Sequence, residues 1–221
     1  MEKKIKHWFD SLGDRENPDE FEAKQLVKLY SIKVPGAKRL GPEDAFEVHG
    51  IAPPYVLKVC SSAILHKTEL KGVVLNNDNE FVQDNFGMMQ KRFPGENILV
   101  EHQSNYMGPE FIIGVIKDPA LGHAVMVGAG GVLTELYKDT AFRLAPCSVN
   151  EAKDMIDELV LSPVFENFRG MRLDKQKLAQ TISRVSMLAH DLGDKLSQLD
   201  INPIVFSGKE WIALDVKIIF E

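Results

Sequence analysis

Two apolar runs separated by a short turn dominate the middle of this 221-residue chain. Residues 111–116 and 123–127 flank Asp118-Pro119, and this spacing predicts a β-hairpin. The second run leads into Gly128, Gly130 and Gly131. Because glycine has no Cβ, such a sequence lets the backbone approach a bulky anionic group. Periodicity alone equally allows a plain hairpin with a glycine turn and a solvated face.

The composition is that of an ordinary globular protein. Hydrophobic residues make up 44% of the chain and charged residues 26%, which is enough apolar material for one large domain or two small ones. The formal net charge is -6. This acidity argues against a nucleic-acid-binding protein, which would carry a basic stripe.

No targeting or membrane segment is expected from the sequence. The N-terminal residues contain no long apolar run, and no window reaches the ~18 apolar residues that a membrane span needs. The two cysteines, Cys60 and Cys147, are far apart and form no metal-binding spacing. We therefore expect structural thiols in a protein of the reducing cytoplasm.

Three helix signals organise the remainder of the chain. Residues 1–18 are expected to form an N-terminal arm. At its end, Asn17-Pro18 and the acidic residues that follow predict the start of a helix. Ser148 and Glu151 form a capping-box pattern. Residues 174–199 carry one apolar stripe at alternating steps of four and three, which predicts a long helix.

Lys58 is unusual because it lies in the middle of an apolar strand-like run, residues 55–60. Alternation places Lys58 on the face opposite Tyr55, Leu57 and Val59. If it is buried, its ammonium group needs an anionic partner. The alternative is an edge-strand lysine that extends to water.

Oxygen-bearing side chains cluster near the C-terminus. Asp215 lies in the middle of a predicted strand, residues 211–219, and Asp200 and Asn202 immediately precede the predicted partner strand, residues 204–206. Together they form a plausible site for a hard cation, because Mg²⁺ needs few protein oxygens and keeps water and phosphate for the rest. Asp and Asn at strand ends are also ordinary turn residues.

Two other segments carry polar groups between or within strands. The loop of residues 61–75 combines Ser, His, Lys, Thr and Gly, which suits phosphate handling as well as any surface loop. In the predicted strand 97–103, Glu101 and Gln103 share one face. The chain has no P-loop, no GxGxxG, no GxSxG and no HExxH motif.

Taken together, these segments resemble a known family. The resemblance rests on VLKVCSSAILHKTELKGV, VEHQ, GPEFIIGVIKDPALGHAVMVGAGGVLTELYKDTAFRLAP, LDINPIVF and ALDVKI, in this order. They closely resemble the ATP-grasp β subunit of ADP-forming acyl-CoA synthetases of the acetate–CoA ligase type, in the succinyl-CoA synthetase superfamily. The match runs from about residue 21 to the C-terminus.

The resemblance implies an α/β (α+β) ATP-grasp fold whose two subdomains grip a nucleotide. The ATP-grasp domain would span residues 19–221. Its small subdomain would cover about residues 45–100, and its larger subdomain about 101–221 with the N-terminal helix.

The resemblance also implies an activity. Such enzymes convert acyl-CoA, ADP and phosphate reversibly into the free acid, CoA and ATP, with the phosphoryl group carried on histidine. ATP or ADP and Mg²⁺ are the implied cofactors. A CoA-binding α subunit is the implied partner in a hetero-oligomer, since nothing in this chain resembles that Rossmann unit.

Several residues match family positions. Lys58 matches the lysine that contacts nucleotide phosphates, where a point cation faces a polyphosphate. The resemblance assigns Asn202 and Asp215 to Mg²⁺, with Asp200 either supporting these ligands from outside the coordination sphere or serving as an alternative ligand. The remaining assignments are adenine and ribose contacts for Glu101 and Gln103, the ribose and phosphate region for Glu110, close backbone approach for Gly130 and Gly131, and a candidate phosphate partner in Arg143.

His66 matches the histidine of the family's mobile loop, which is thought to carry the phosphoryl group to ADP. A neutral ring nitrogen is a suitable nucleophile for this step; the alternative is a loop histidine that only forms hydrogen bonds. The chain departs from the family pattern at Lys71, where a glycine is usual, and at Gln198, where an acid is usual.

Three other functions remain open at this level. The chain could serve an acid–CoA ligase for another acid, such as succinate or malate, or be the nucleotide half of a fused enzyme whose CoA-binding part lies elsewhere. It could be a nucleotide-binding regulatory subunit without catalysis, which the changes at Lys71 and Gln198 would fit. It could also be an interaction protein that binds no nucleotide.

Overall fold

The computed structural model describes residues 2–64, 67, 69–131 and 138–221. These residues form two compact units. The large unit comprises the residues up to Pro18, Ala23–Val34 and Asn105–Glu221, and the small unit comprises Asp19–Glu22 and Pro35–Ser104. The subdomain bounds expected from the sequence stay a prediction.

The described elements follow one another along the chain as α1 (Glu2–Leu12), α2 (Glu20–Leu29), β1 (Ala37–Leu40), β2 (Tyr55–Cys60), β3 (Val73–Asn77), α3 (Val82–Arg92), β4 (Asn97–His102), β5 (Phe111–Asp118), β6 (Gly122–Ala129), β7 (Thr140–Leu144), α4 (Val149–Glu158), α5 (Lys175–Leu192), β8 (Leu196–Ser207), β9 (Glu210–Ala213) and β10 (Val216–Phe220). None of these described helices is long and apolar enough to cross a membrane.

The small unit is built on an antiparallel sheet in the order β1-β4-β2-β3. The predicted alternation of β2 is confirmed: Tyr55, Leu57 and Val59 belong to an apolar core that also contains Phe86 and Met89 of α3. All six residues of β2 are buried. The second face of the strand, which carries Lys58, is therefore also covered.

The large unit contains a sheet in the order β10-β8-β5-β6-β7, with β9 paired to β8. The predicted hairpin is confirmed by the β5–β6 pair, whose register runs from Phe111 opposite Ala129 to Asp118 opposite Gly122. One face of these strands lies in the apolar core with α5. The other face carries the polar residues of β8 and β10.

The long predicted helix is shorter than its apolar stripe suggested. Helix α5 ends at Leu192, and Gly193 follows it with φ 55°. Leu196 and Leu199 continue the stripe in sequence but belong to strand β8. The prediction that the helix reaches residue 199 is wrong, because a glycine in the left-handed region ends the helix and buried apolar residues suit either element.

Two other boundaries differ from the sequence prediction. Helix α2 begins at Glu20 rather than at Pro18, since Asp19 and Glu22 satisfy each other's backbone N–H groups over 2.9 and 3.0 Å. The predicted strand 211–219 divides into β9 and β10 around Leu214 and Asp215. The predicted capping box is confirmed at Ser148 and Glu151.

Candidate functional site

Four of the predicted site residues come together in the large unit. The N–H of Gly130 donates to the carbonyl of Glu110 over 2.8 Å, and the N–H of Gly131 donates to Oδ1 of Asn202 over 3.3 Å. A Cβ at Gly130 would lie 2.5 Å from the carbonyl carbon of Phe111, so a larger residue does not fit. The segment that follows β6 is therefore held by hydrogen bonds to the carbonyl of Glu110 and the side chain of Asn202, and the backbone of Phe111 leaves no room for a side chain at Gly130.

Tyr106 joins this cluster although the sequence analysis did not select it. Its hydroxyl donates to Oε1 of Glu110 over 2.5 Å. The hydrogen bond to this carboxylate raises the pKa of Tyr106 to about 12. The contact orients the carboxylate of Glu110, and the sequence contains only a weak signal for it, a tyrosine four residues before the acid.

Asp200 and Asn202 belong to β8, and Asp215 lies in the short segment between β9 and β10, which both pair with β8. Ile201 is opposite Val216 in the β8–β10 pair, and the N–H of Leu214 donates to the carbonyl of Pro203 over 2.9 Å. This antiparallel register places Asp215 opposite Asn202. Ile201 and Val216 are buried in the core, so the three polar side chains belong to the face that turns away from it.

The two carboxylates of this face influence each other. Burial raises the pKa of Asp200 to about 6, and the negative charge of Asp215 acts in the same direction, whereas Lys217 opposes them. A cation bound beside the two carboxylates would offset the repulsion between their negative charges. The donor chemistry therefore fits a hard divalent cation.

The protein would supply few of the ligands of such a metal ion. Within the described ranges, no three His, Cys, Asp or Glu side chains lie close enough together to hold a metal ion. Asp200, Asp215 and the amide oxygen of Asn202 are the available oxygen donors. This set suits Mg²⁺, which retains water and phosphate oxygens as its remaining ligands.

Lys24 is a buried lysine beside this face that the sequence analysis missed. Its side chain is 1% exposed, and its Nζ donates to the carbonyl of Leu214 over 2.7 Å. Leu214 immediately precedes Asp215. The hydrogen bond therefore helps to hold the segment that carries this acid.

In the small unit, Lys58 lies within a layer of buried charges. Its Nζ is 2.7 Å from Oε1 of Glu20 and 3.0 Å from Oε2 of Glu101. The second carboxylate oxygen of Glu20 binds Nζ of Lys67. Lys58 is buried on an inner strand, so the alternative of an edge lysine is wrong and the expected anionic partner is present. Its contact with nucleotide phosphates stays a prediction.

Glu101 and Gln103, which are expected to contact adenine and ribose, form contacts with other residues of the chain. The carboxylate of Glu101 is buried against Lys58. The side-chain amide of Gln103 exchanges two hydrogen bonds with Asn76, each of 2.7 Å, and its backbone N–H donates to the carbonyl of Pro54 over 2.8 Å. Their roles toward adenine and ribose stay predictions.

Arg143 has a protein partner outside the Glu110–Asn202 cluster, and its contact with nucleotide phosphate stays a prediction. It lies opposite Val125 in the β6–β7 pair, on the side of the sheet where Val125 is buried in the core. Its guanidinium group binds both carboxylate oxygens of Glu158. Strand parity therefore directs Arg143 toward helix α4.

The predicted phosphoryl carrier, His66, lies outside the described residues. Lys71, where the family pattern has glycine, adopts φ 55°. This left-handed conformation favours glycine, and the observation explains why the family pattern has one there. The side chain at position 71 is thus accommodated at a conformational cost.

Comparison with known proteins identifies the family. Residues 12–220 match the ATP-grasp domain family. The chain is 36% identical to the β subunit of an ADP-forming acetate–CoA ligase of Pyrococcus furiosus, over 90% of this chain and 89% of the relative. A Pyrococcus horikoshii protein of known structure superposes with a TM-score of 0.89 at 32% identity, covering 100% of this chain and 98% of that one.

A third comparison concerns an enzyme with bound ligands. The dinucleotide-forming acetyl-CoA synthetase of Candidatus Korarchaeum cryptofilum superposes with a TM-score of 0.82 at 31% identity, over 96% of each chain. That structure contains coenzyme A and Mg-AMPPCP, and its phosphohistidine segment points towards the nucleotide-binding site. The expected ATP-grasp fold is confirmed, and this chain belongs to the ATP-grasp family that includes the β subunits of ADP-forming acetate–CoA ligases.

Proposed function

We propose that this chain is the nucleotide-binding β subunit of an ADP-forming acyl-CoA synthetase of the acetate–CoA ligase type. It would catalyse phosphoryl transfer between a phosphohistidine and ADP in the reaction acyl-CoA + ADP + phosphate = acid + CoA + ATP. The observation that carries the proposal is the polar face on which Asp215 stands opposite Asn202, next to the glycine-lined end of β6.

Several of the described residues are suited to this chemistry. Phosphoryl transfer depends on in-line placement and on cations around the moving group. Lys58 would provide a fixed ammonium group to the phosphates. Asn202 and Asp215, with Asp200, would hold Mg²⁺, which when bound neutralises phosphate charge. Glu110, oriented by Tyr106, would contact the ribose and phosphate region.

The proposal includes a partner. The Pyrococcus furiosus relative is named as a β subunit, and a β subunit implies at least one other subunit. We infer a CoA-binding α subunit, in a hetero-oligomer, that supplies the phosphohistidine, with His66 as the carrier on this chain. A cytoplasmic location is part of the same proposal, because CoA and adenine nucleotides are the required substrates.

Nucleotide binding by the chain tests this function directly. ATP and ADP binding would be measured by calorimetry with and without Mg²⁺, for wild type, Asp215→Ala and Lys58→Met. The matched control is Lys38→Met, since Lys38 also lies on a strand of the small sheet but is bonded to the carbonyl of Glu47 at the surface.

We expect Mg²⁺-dependent binding by wild type and Lys38→Met, and at least a roughly tenfold loss in the two site variants, about 1.4 kcal/mol. Binding without turnover in the presence of the partner, acetyl-CoA and phosphate would favour the regulatory alternative. Failure of wild type to bind either nucleotide, alone and with the partner, would contradict the proposal.

A further inference from the structure

Glu20 holds two lysines with a single carboxylate group. Its Oε1 accepts a hydrogen bond from Nζ of Lys58 over 2.7 Å, and its Oε2 accepts one from Nζ of Lys67. Only 1% of the Glu20 side chain is exposed. Because both oxygens are engaged by different lysines, the plane of the carboxylate is fixed and Oε1 faces Lys58.

Lys58 is held from a second direction by Glu101. Oε2 of Glu101 lies 3.0 Å from Nζ, and β4 presents this acid from the neighbouring strand, where Glu101 is opposite Val56. A buried ammonium group requires such compensation. The two carboxylates together constrain the direction in which Nζ points, because both lie within ion-pair distance of it.

The two acids have different structural origins. Glu101 is fixed by the backbone ladder of the sheet, whereas Glu20 belongs to the first turn of helix α2. A strand lysine directed by a helix glutamate is also the arrangement by which protein kinases place their phosphate-contacting lysine. In both cases the glutamate need not touch the nucleotide to affect the transfer.

We propose that Glu20 is a positioning residue that holds the ammonium group of Lys58 in the orientation required for phosphoryl transfer. The inference rests on the proposed function, since it takes Lys58 as the phosphate contact. Without Glu20, Glu101 still compensates the charge of Lys58, but the direction of Nζ is no longer fixed. An interaction that matters mainly in the transition state changes kcat more than KM.

The experiment uses the complete enzyme with its partner subunit and follows ATP formation from acetyl-CoA, phosphate and ADP. Glu20→Gln removes the charge, and Glu20→Asp keeps it on a shorter side chain. Glu22→Gln is the matched control, because Glu22 is buried in the same helical turn and its carboxylate binds Nη1 of Arg39 over 2.9 Å.

For Glu20→Gln we expect kcat to fall about 30-fold while KM for ADP stays within about threefold. Glu20→Asp should recover a measurable part of the lost kcat, and Glu22→Gln should keep kcat within about threefold of wild type. Thermal unfolding of all variants shows whether the fold is preserved.

Two results would overturn the assignment. If Glu20→Gln and Glu22→Gln lost equal activity with equal falls in Tm, the role of Glu20 would be structural. If only KM changed, Glu20 would act in uniform nucleotide binding. A wild-type enzyme that neither binds nucleotide nor turns over would instead refute the proposed function, and the two failures are therefore distinguishable.

Discussion

The backbone N–H of Gly131 donates a hydrogen bond to Oδ1 of Asn202 over 3.3 Å, although the two residues are 71 positions apart in the chain. Gly131 adopts φ 74°, and a Cβ at this position would collide with the carboxylate of Glu110. Gly131 thus lies between Glu110, the candidate ribose contact, and Asn202, the candidate metal ligand. The amide oxygen of Asn202 retains a second lone pair for a cation.

Gly131→Ala should therefore damage the site more than it damages the fold. Both the left-handed backbone and the collision with Glu110 oppose an alanine, and we expect nucleotide affinity to fall at least about tenfold. Gly122→Ala is the control, since Gly122 has φ 83° in the β5–β6 turn but no neighbour within 4 Å of an added Cβ.

Both glycine variants should lose about 1–2 kcal/mol of unfolding free energy from backbone strain. Calorimetric titration with ATP and chemical denaturation separate the two effects. Equal nucleotide affinity in both variants would mean that the contact with Glu110 is unimportant for binding.

The pKa of Asp200 predicts a pH-dependent stability in protein freed of metal by EDTA. Its folded pKa of about 6 lies above the ordinary value of 3.8, so ionised Asp200 is less favourable in the folded chain than in the unfolded one. The penalty is absent below about pH 4, grows as the pH rises through about 6, and then stays constant.

Asp200→Asn removes this penalty. We expect the variant to match wild type near pH 4 and to exceed it at pH 8 by at most about 3 kcal/mol. Thermal unfolding across this pH range measures the difference. A variant that is less stable than wild type at pH 8 would show that Asp200 is stabilised by its surroundings.

Arg143→Ala tests whether Arg143 contacts nucleotide phosphate in addition to forming its ion pair with Glu158. Because the guanidinium group binds Glu158 on the α4 side of the sheet, nucleotide affinity should stay within about twofold of wild type. The ion pair is open to solvent and should contribute little to stability. A tenfold loss of affinity would instead support the predicted contact of Arg143 with phosphate.

The two cysteines should be unreactive in the folded chain. Cys60 is 1% exposed and Cys147 is 4% exposed, and burial raises the pKa of both thiols. Little thiolate is then available to react with Ellman's reagent at pH 8. We expect negligible reaction in buffer and two thiols per chain in guanidinium chloride; rapid native reaction would contradict the observed burial.

Local patterns were sufficient where the structure depends on neighbouring residues. The alternation of residues 55–60, the hairpin of residues 111–129 and the capping box at Ser148 are all present. Glu110, Gly130, Gly131 and Asn202, which the family resemblance assigned to the nucleotide and Mg²⁺, lie together in the structure, and their ligand roles stay predictions. The local predictions succeed because strand periodicity, turn chemistry and glycine requirements are properties of short segments.

The acids at the start of α2 show where local reasoning stops. In the sequence they are ordinary helix-start residues, which normally face water. In the structure Glu20 is buried against Lys58, 38 positions away, and Lys24 against the carbonyl of Leu214, 190 positions away. No pattern within a helix indicates which of its charged residues will find a partner at such a distance.

By itself, the sequence determined the fold class and the family, and the residues that it assigned to the nucleotide and Mg²⁺ stay predictions. Only the tertiary structure decided that Glu20 and Glu101 share Lys58, that Arg143 turns to Glu158, and that Asp215 stands opposite Asn202. The physical reason is that a buried charge is stable only beside a specific partner. Partners brought together by sheet register and by packing are not encoded in any one segment.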